Sequence, residues 1–362
     1  MSKQTVGIVG CGKISAAHLK AWSRLEGFAI GGVFDVNRQL ADERAREFSV
    51  GRVFETLDQL IEACSIVDVC TPPQTHAVIS RQVLASGRHL LIEKPVVTEV
   101  ADWDSLVELV KRSPGKLAVI HNLKFAHSVR QAKQWVDQGR IGDVLRIQRE
   151  FLTSATTDRM LVGDKHWSHK LPGGRWFETL PHELYLTHWF AGALELDHVS
   201  VIHTPKAPAG APADEVVAVL RGDHALATVH FSANCEQNRR VFTVQGSHGQ
   251  IVVDILGDQA TLSTTQDAKW KRAVGQQLLH AGRTLLHAVP DRSRYGLERL
   301  RGASPHSRAI EAFALEVQGR GEPATPFEEI DYVVRNCDRI GRAIDQQLMA
   351  LAAKGHTGGM AN

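Results

Sequence analysis

Residues 4–15 read QTVGIVGCGKIS, a short apolar run that ends in two closely spaced glycines. The apolar run predicts a strand that is buried on both faces of a parallel sheet. Gly10 suits a tight turn after this strand, and Gly12 would let the backbone approach a pyrophosphate at the N-terminus of the next helix. Ser15 occupies the third position of the GxGxxG pattern and is small enough for close packing of helix and strand. The cofactor contacts predicted from this stretch are Gly10, Gly12, Lys13 and Ile14.

An acidic residue ends the second predicted strand, at the distance that a dinucleotide site requires. Residues 28–35 read FAIGGVFD, and Asp35 stands about 20 residues beyond the glycine pattern. Its carboxylate can accept hydrogen bonds from the ribose hydroxyls of the cofactor. Because a carboxylate would repel the 2′-phosphate of NADP, Asp35 favours NAD, whereas the nearby Arg38 keeps NADP as the alternative.

Strands and helices alternate through the first third of the chain. The predicted strands are 4–9, 28–35, 66–70, 89–95 and 117–121, and the predicted helices are 13–26, 38–47, 74–87 and 99–112. Thr98 is expected to cap the last of these helices. Helices of ~10–15 residues between buried strands predict βαβ units in a doubly wound parallel sheet, the Rossmann arrangement of an α/β protein.

Length and composition bound the organisation of the chain. At 362 residues it exceeds the ~250–300 at which one core stops growing, so we expect two domains, 1–122 and 123–362. A hydrophobic content of 43% and a charged content of 23% are typical of a globular protein and argue against a disordered one. The net charge of +2 gives no reason to expect a nucleic-acid partner.

Targeting signals and cysteines indicate where the protein works. No apolar run reaches the ~18 residues of a membrane span, so no membrane partner is expected. The few residues before the first strand leave no room for a signal peptide. Five cysteines without a CxxC pair favour a reduced, cytoplasmic protein.

The second half carries strand patterns separated by turn signals. Residues 143–152, 197–204 and 215–255 predict strands, the last of them an antiparallel meander, in a sheet of about five or six strands. Residues 269–308 are rich in arginine and lysine and contain helical apolar spacing. We interpret them as a solvated helical insertion with a basic face. The alternatives are an anion-collecting rim for an acidic sugar and a membrane-surface helix.

Several separated motifs resemble one family of oxidoreductases. A strand ending in Glu93-Lys94-Pro95, after the glycine pattern and the segment TPPQTH at 71–76, is similar to the family of glucose–fructose oxidoreductase, inositol dehydrogenase and MocA (Gfo/Idh/MocA). The segment GGRWFETLPHELYLTHWFAG at 173–192 continues the resemblance. It implies a C-terminal α+β domain with an open, mostly antiparallel sheet, whose free face packs on another subunit in a homodimer or homotetramer. The resemblance adds these predicted cofactor contacts: Thr71, Pro72, Pro73, His76, Glu93, Lys94 and Asn122.

The family motifs imply hydride transfer between NAD(P) and a carbinol or carbonyl carbon of a sugar, cyclitol or sugar derivative. Such a step needs a proton acceptor and a cation or donor near the oxygen that develops charge. Lys94 suits the second task, because ligands bind at the carboxyl edge of a doubly wound sheet. His182, with Glu178 one turn earlier on the same helix face, suits the first. The predicted catalytic residues are Lys94, His182 and Glu178.

The chain departs from the family pattern where the family binds substrate. Glu178 and Tyr185 stand at positions where aspartate is usual, and Lys124 stands where arginine is usual. His166 and His169 have the HxxH spacing of a metal site, but their loop context favours a pocket lining, and no metal is expected. The predicted substrate contacts are Lys94, Lys124, Trp167, His169, Arg175, Trp176, His182 and Tyr185.

Two other activities are compatible with the resemblance. The family includes glycosidases that use tightly held NAD as a transient oxidant, and these leave the cofactor unchanged overall. It also includes a non-catalytic NAD-binding regulator of transcription. The presence of both Lys94 and His182 argues against a regulatory role for this chain.

Overall fold

The computed structural model describes residues 3–161, 166–204, 213–264 and 304–358, with side chains up to 353. The chain divides into two units. Unit 1 comprises Met1–Phe125 and Ser304–Arg335, and unit 2 comprises Ala126–Ala303 and Asn336–Asn362. Within the described ranges, no helix is both long enough and apolar enough to cross a membrane.

Five parallel strands form the sheet of unit 1. They are β1 (Gln4–Val9), β2 (Phe28–Phe34), β3 (Ile66–Val69), β4 (His89–Ile92) and β5 (Leu117–Val119). Their order is β2-β1-β3-β4-β5, and each neighbouring pair is parallel, which confirms the predicted sheet. The order reverses between β1 and β3, because the chain goes outward to β2 and then returns past β1. Ligands of doubly wound sheets bind at the carboxyl ends of the strands beside such a reversal.

The helices that accompany these strands are α1 (Ser15–Trp22), α2 (Arg38–Glu47), α3 (Leu57–Ala63), α4 (His76–Ala85) and α5 (Val100–Arg112). Side chains cap two of them, since Asn37 accepts backbone hydrogen bonds from α2 and Thr56 accepts one from α3. The expectation that Thr98 caps α5 is wrong. The N-cap is Glu99, one residue later than expected, and its side chain makes no capping hydrogen bond.

Seven strands form the sheet of unit 2 within the described ranges. They are β6 (Val144–Ser154), β7 (Glu195–Ile202), β8 (Glu215–Arg221), β9 (Leu226–Ser232), β10 (Asn234–Gly246), β11 (Gly249–Asp254) and β12 (Gln259–Thr264). Their order is β12-β11-β10-β6-β9-β8-β7. Only the β6–β9 pair is parallel among them, which confirms a mostly antiparallel sheet. The sheet exceeds the expected size because β12 extends the last hairpin, and β6 interrupts the expected meander between β9 and β10.

One face of this sheet is covered by a helix. Ahead of residue 265, the described part of unit 2 contains the helices α6 (His127–Asp137) and α7 (Arg175–Ala191). Phe190 of α7 meets Phe242 of β10 edge-on, with ring centroids 4.7 Å apart. Trp176 of α7 stacks on Phe231 of β9, with centroids 5.1 Å apart. α7 therefore packs on one face of the sheet, and it carries Glu178 and His182, two of the three predicted catalytic residues.

The C-terminal segment returns to unit 1. It forms α8 (Pro305–Val317) and α9 (Phe327–Gly358), and unit 1 includes α8 and the first residues of α9. Ser304 caps α8 in a reciprocal capping box. Phe313 of α8 and Trp22 of α1 are buried in the same apolar cluster.

The observed units differ from the sequence-based division at residue 122. Residues 304–335 belong to unit 1, because the apolar face of α8 is buried there rather than in unit 2. Most of the predicted basic insertion, 269–308, lies outside the described residues, which resume at 304.

Candidate active site

The glycine-rich turn follows β1 at the point where the strand order reverses. Gly10 has a φ of +91°, a conformation that favours glycine. A Cβ on Gly10 would lie 2.9 Å from backbone atoms of Cys70 and Thr71, so the turn can pass the end of β3 only with glycine there. A Cβ on Gly12 would meet no described atom within 4 Å. This open space is what a pyrophosphate needs in order to approach the backbone.

Asp35 follows β2 and is tied to the same turn. Its carboxylate accepts hydrogen bonds from the backbone N–H of Cys11 at 2.7 Å and of Asn37 at 2.8 Å. Arg44 of α2 donates to the carbonyl oxygen of Gly12 at 3.1 Å. The structure therefore brings the predicted acidic residue to the predicted glycine turn. Of the other two turn residues, Lys13 is exposed and Ile14 is the N-cap of α1.

His76 joins the backbone after β3 to the backbone after β4. Its ring nitrogens lie 2.8 Å from the carbonyl oxygens of Thr71 and Pro95. Burial lowers the pKa of His76, against the opposing effect of the two carbonyl groups. His76 thus clamps the segment that contains Pro72 and Pro73, and a contact of these residues with a cofactor stays a prediction.

Behind Lys94 lies a buried network of charged side chains. The Nε2 atom of His18 lies 3.0 Å from Glu93 Oε1, and its Nδ1 atom lies 2.9 Å from Asp68 Oδ2. The indole N–H of Trp22 donates to the same Asp68 oxygen at 2.7 Å. The second oxygen of Glu93 accepts the backbone N–H of Lys94 at 3.2 Å. His18 therefore holds one oxygen of the Glu93 carboxylate, and the other oxygen holds the backbone at Lys94.

The pKa shifts within this network favour the charged forms of His18 and Glu93. Burial lowers the pKa of His18, but the electrostatic interactions and hydrogen bonds of Asp68 and Cys70 together outweigh burial, and the pKa lies well above its ordinary value. Burial raises the pKa of Glu93, but the hydrogen bond and charge of His18, with the charges of His306 and Lys94, outweigh burial, and the pKa is lowered. We infer an imidazolium between two carboxylates, which keeps Glu93 ionised beside Lys94.

α8 adds a residue to this network that the sequence analysis missed. The Nε2 atom of His306 lies 3.8 Å from Glu93 Oε1, and its Nδ1 atom lies 3.2 Å from the amide nitrogen of Asn122. Burial lowers the pKa of His306. His306 therefore bridges Glu93 and Asn122, a residue that is predicted to contact the cofactor. No local pattern in the sequence indicates a contact across so many residues.

Three buried side chains have the composition of a metal site but do not fit a metal. His18, Asp68 and Cys70 place possible ligand atoms within 4.8 Å of one another. His18 and Asp68 already use these atoms on each other and on Trp22. Burial raises the pKa of the Cys70 thiol to about 12, so the thiol is protonated beside Asp68.

Lys124 is engaged within unit 1. Its Nζ atom donates to Glu329 Oε2 at 2.7 Å, and His121 Nδ1 lies 2.6 Å from the other oxygen of Glu329. Burial raises the pKa of Glu329, but the His121 hydrogen bond and the charge of Lys124 lower it to about 2. The predicted substrate contact of Lys124 stays a prediction, since a buried carboxylate already balances its charge.

In unit 2, α7 presents Glu178 and His182 as half-buried residues one turn apart. The Nδ1 atom of His182 lies 2.8 Å from the hydroxyl of Tyr185. Glu178 accepts hydrogen bonds from Arg175 at 3.1 Å and from Thr179 at 3.3 Å. Tyr185 is fully buried, so its predicted direct contact with substrate is not supported. It lies behind His182 instead.

Arg175 connects α7 to the loop after β6. Its Nη2 atom donates to Asp158 at 3.1 Å, and its Nη1 atom donates to Glu178 and to the hydroxyl of Thr179. Arg175 is only 3% exposed. Arg175 therefore holds the carboxylate of Glu178 in place. Its predicted contact with substrate stays a prediction, since little of its side chain is accessible.

The aromatic residues predicted to line a pocket differ in burial. Trp176 is fully buried and donates to the carbonyl of Ala213 at 2.7 Å, so it is a core residue and not a pocket residue. Trp167 and His169 lie in a short 3₁₀ turn, Trp167–Lys170, and both are half-buried. His169 contacts the carbonyl of Met160. Their contact with substrate stays a prediction.

The predicted catalytic residues come from both units. Lys94 lies in unit 1 and His182 and Glu178 lie in unit 2. Unit 1 brings Lys94 together with Glu93, and unit 2 brings His182 together with Tyr185. The sequence could have indicated Asp68, since a charged residue inside the apolar run IVDVC signals a buried partner.

Comparison with known proteins covers both halves of the chain. A model of an oxidoreductase family with an NAD-binding Rossmann fold matches residues 4–121, and a model of the Gfo/Idh/MocA C-terminal domain matches residues 129–252. Glucose-6-phosphate 3-dehydrogenase of Bacillus subtilis is 27% identical over 154 residues, which are 42% of this chain and 44% of that protein. Myo-inositol 2-dehydrogenase of Thermotoga maritima is 24% identical over 274 residues, which are 72% of this chain and 78% of that protein. The chain thus spans about half the length of the first curated relatives that it matches.

A solved structure shares the fold over nearly the whole chain. The WlbA dehydrogenase of Bordetella pertussis, in complex with NADH and UDP-GlcNAcA, has a TM-score of 0.76 at 19% identity, covering 95% of this chain and 96% of that chain. The two family models account for most of the sequence, one in each half. The chain therefore belongs to the Gfo/Idh/MocA family of oxidoreductases, whose N-terminal domain is an NAD-binding Rossmann fold.

Proposed function

We propose that this protein is an NAD-dependent dehydrogenase that acts on a CH–OH group of a sugar, a cyclitol or a sugar derivative. The observation that carries the proposal is the placement of Lys94. It follows β4 at the carboxyl edge of the sheet, directly after a Glu93 that a buried network holds ionised. The relatives support the substrate class, since they are named dehydrogenases of a sugar phosphate and of an inositol.

The residues around the glycine turn fit a dinucleotide. The open space at Gly12 and the position of Asp35 beside the turn suit a pyrophosphate and a ribose. We propose NAD rather than NADP because the Asp35 carboxylate would repel a 2′-phosphate. Arg38, which could offset that repulsion, lies 2.9 Å from Asp42 on the surface of α2. When bound, the nicotinamide would accept or deliver the hydride.

We propose that Lys94 holds the reacting oxygen of the substrate. An ammonium group that donates to this oxygen stabilises the charge that it gains as the proton leaves. The backbone of Lys94 is held by Glu93, and Glu93 is held by His18. The network thus orients the lysine before substrate arrives, which lowers the entropic cost of reaching the reactive geometry.

We propose that His182 takes and returns the proton of the substrate hydroxyl. Its Nδ1 atom is occupied by Tyr185, so Nε2 is the nitrogen that handles the proton. A tyrosine hydroxyl can accept a hydrogen bond from Nδ1–H or donate one to Nδ1. Rotation of that hydroxyl therefore suits both directions of the reaction, with Nε2 as acceptor in one and as donor in the other.

We also propose that the protein is a homodimer or homotetramer in a reducing, cytoplasmic environment. The family resemblance supports association through the free face of the unit 2 sheet, where Val217 and Val219 are half-buried side chains of β8. None of the five cysteines, all of which the structure describes, forms a disulfide. This is consistent with a reducing compartment.

The test is an assay of NAD reduction across sugars, sugar phosphates, uronates and cyclitols. Lys94→Ala should lower kcat/KM by ~10²–10⁴-fold on the substrate that the wild type turns over. Lys111→Ala, which removes an exposed lysine of α5, serves as the matched control. Full turnover by Lys94→Ala would refute the mechanism. Cleavage of a chromogenic glycoside without net NADH would instead favour a glycosidase.

A further inference from the structure

Arg240 lies where the helix-covered face of the unit 2 sheet opens to solvent. Alternate residues of a strand share a face, so Arg240 lies on the same face of β10 as Phe242 and Val244. Phe242 and Val244 are fully buried, whereas Arg240 is exposed. Its partner across the β6–β10 pair is the buried Phe151. Arg240 therefore lies at the exposed end of this face, beyond the buried Arg149 of β6, which is paired with Glu183 of α7.

Two arginines share the ring of Phe151. The guanidinium carbon of Arg240 lies 4.3 Å from the ring centroid, and that of Arg175 lies 5.4 Å from it. Each contact is a favourable cation–π interaction, but the two cations repel each other. The side chains packed against the guanidinium of Arg240 partly exclude water from it, which lowers its pKa, and the charge of Arg175 lowers the pKa further. Positive charge is thus concentrated over one aromatic ring.

The two arginines differ in how their donors are used. Arg175 donates to Asp158, Glu178 and Thr179, and its Nε–H is buried with no acceptor in the described part of the chain. The guanidinium of Arg240 has no hydrogen bond or ion pair with any residue that the structure describes. The carboxylates that act on its charge are each paired with another arginine, Glu183 with Arg149 and both Asp158 and Glu178 with Arg175. Arg240 is exposed above the Phe151 ring, so its planar donors are open to a ligand.

We propose that Arg240 binds an acidic group of the substrate, a carboxylate or a phosphate, and so selects acidic sugars over neutral ones. This inference rests on the proposed dehydrogenase function. A guanidinium fork matches either acid with two parallel hydrogen bonds, and the stacking on Phe151 holds the fork in place. The site is beside the predicted substrate residues, because Arg175 links the Phe151 ring to Glu178, one turn from His182 on α7.

The neighbouring arginine of β10 provides a matched control. Arg239 points to the other face of the sheet, is 55% exposed, and lies 3.2 Å from Glu150. Arg239→Gln removes the same charge as Arg240→Gln at nearly the same distance along the strand. An effect of net charge alone would appear equally in both variants.

The experiment compares acidic sugars with neutral ones of the same skeleton. With NAD present, the NADH formed from glucose 6-phosphate and from glucuronate is measured against that from glucose, and binding of each is measured by calorimetry. The wild type should favour at least one acid by 10-fold or more in kcat/KM, and the identity of that acid separates phosphate from carboxylate recognition. Arg240→Gln should raise KM and Kd for that acid by ~10–100-fold with little change in kcat. Arg240→Lys should recover part of the loss, and Arg239→Gln should change neither.

The outcomes separate this inference from the proposed function. Equal use of acidic and neutral sugars by the wild type, or an Arg240→Gln variant that keeps the preference for the acid, overturns the inference alone. If Arg240→Gln lowers only the thermal midpoint, the arginine balances the charges of Asp158 and Glu178, and the inference is again overturned. If no sugar is oxidised but an acid binds in an Arg240-dependent manner, the inference stands and the dehydrogenase function fails.

Discussion

At the scale of single residues, the hydroxyl of Tyr185 is the contact that most directly shapes the proposed chemistry. It is fully buried and lies 2.8 Å from His182 Nδ1. A neutral hydroxyl fixes the ring without placing a carboxylate behind it. The hydrogen bond at Nδ1 to this hydroxyl therefore helps to orient the ring of His182 and is compatible with either tautomer.

Tyr185→Phe is expected to lower kcat by about 10-fold and to leave KM within about 2-fold, because the ring of His182 loses its orienting partner while the substrate contacts stay. The pH dependence of kcat should also shift, which loss of stability alone would not cause. Steady-state kinetics from pH 6 to 9 measure both effects. Tyr332→Phe, which removes a buried hydroxyl in unit 1, is the control. An unchanged kcat and pH profile would show that Tyr185 only fills space.

Glu329→Gln is expected to destabilise the protein at neutral pH by about 3 kcal/mol, because the folded-state pKa of Glu329 is about 2 against an ordinary 4.5. A lowered pKa stabilises the folded state above the unfolded value and loses this effect as pH falls toward the folded value. The difference from wild type should therefore be full at pH 7 and shrink below pH 4.5.

Urea unfolding at pH 7 and at pH 4 measures this difference. Glu328→Gln alters the adjacent exposed carboxylate of α9 and should change stability little at either pH. A Glu329→Gln difference that stays constant with pH would contradict the ionised state of Glu329 beside His121 and Lys124.

At the scale of elements, the two glycines of the turn between β1 and α1 have different roles, since Gly10 packs against the backbone after β3 and Gly12 borders open space. Gly10→Ala should lower both the melting temperature and the affinity for NADH, because its Cβ would collide with the backbone at Cys70. Gly12→Ala should keep the melting temperature within about 2 °C and still weaken NADH binding by about 10-fold or more, because its Cβ enters the space proposed for the pyrophosphate. Thermal unfolding and fluorescence titration with NADH provide the two readings. Equal NADH affinity of the Gly12 variant and the wild type would contradict the proposed site.

Local sequence patterns predicted the elements that have strong local signals. The apolar runs of β1, β3 and β4 end in turn residues, and all three strands lie close to their expected bounds. α3 spans only Leu57–Ala63 and β12 has weak alternation, so neither was predicted. Thr98 was misplaced as a cap because a shift of one residue at a helix end is below the precision of sequence patterns.

The candidate site was predictable only in part, for physical reasons. Motifs located Gly10, Asp35 and Lys94, because a strand end fixes each of them. The partners His306 and Glu329 lie in a segment that returns to unit 1 from far along the chain, and local patterns carry no information on such contacts. Trp176 was assigned to a pocket because α7 is buried on nearly all sides, so its apolar pattern does not reveal which face is accessible.

At the scale of the whole molecule, a single substitution that introduces a charge can test association through the unit 2 sheet. Val219→Glu places a carboxylate on the face of β8 opposite the buried Val216 and Ala218. We expect the variant to shift from a dimer or tetramer toward a monomer, since a buried charge without a partner would cost several kcal/mol at the interface. Light scattering after size-exclusion chromatography measures the mass. Val78→Glu, at an exposed valine of α4, is the control. A monomeric wild type, or an unchanged mass for Val219→Glu, would contradict the proposal.

The return of residues 304–335 to unit 1 also sets the order in which the protein can mature on the ribosome. The strands of the dinucleotide-binding unit leave the exit tunnel first, but the face of α1 that carries Trp22 stays uncovered until α8 has been translated. Nearly all of unit 2 is synthesised in that interval. A nascent chain that pauses between the two exposes apolar surface, so the unit whose strands emerge first stays incomplete until nearly all of unit 2 has been made.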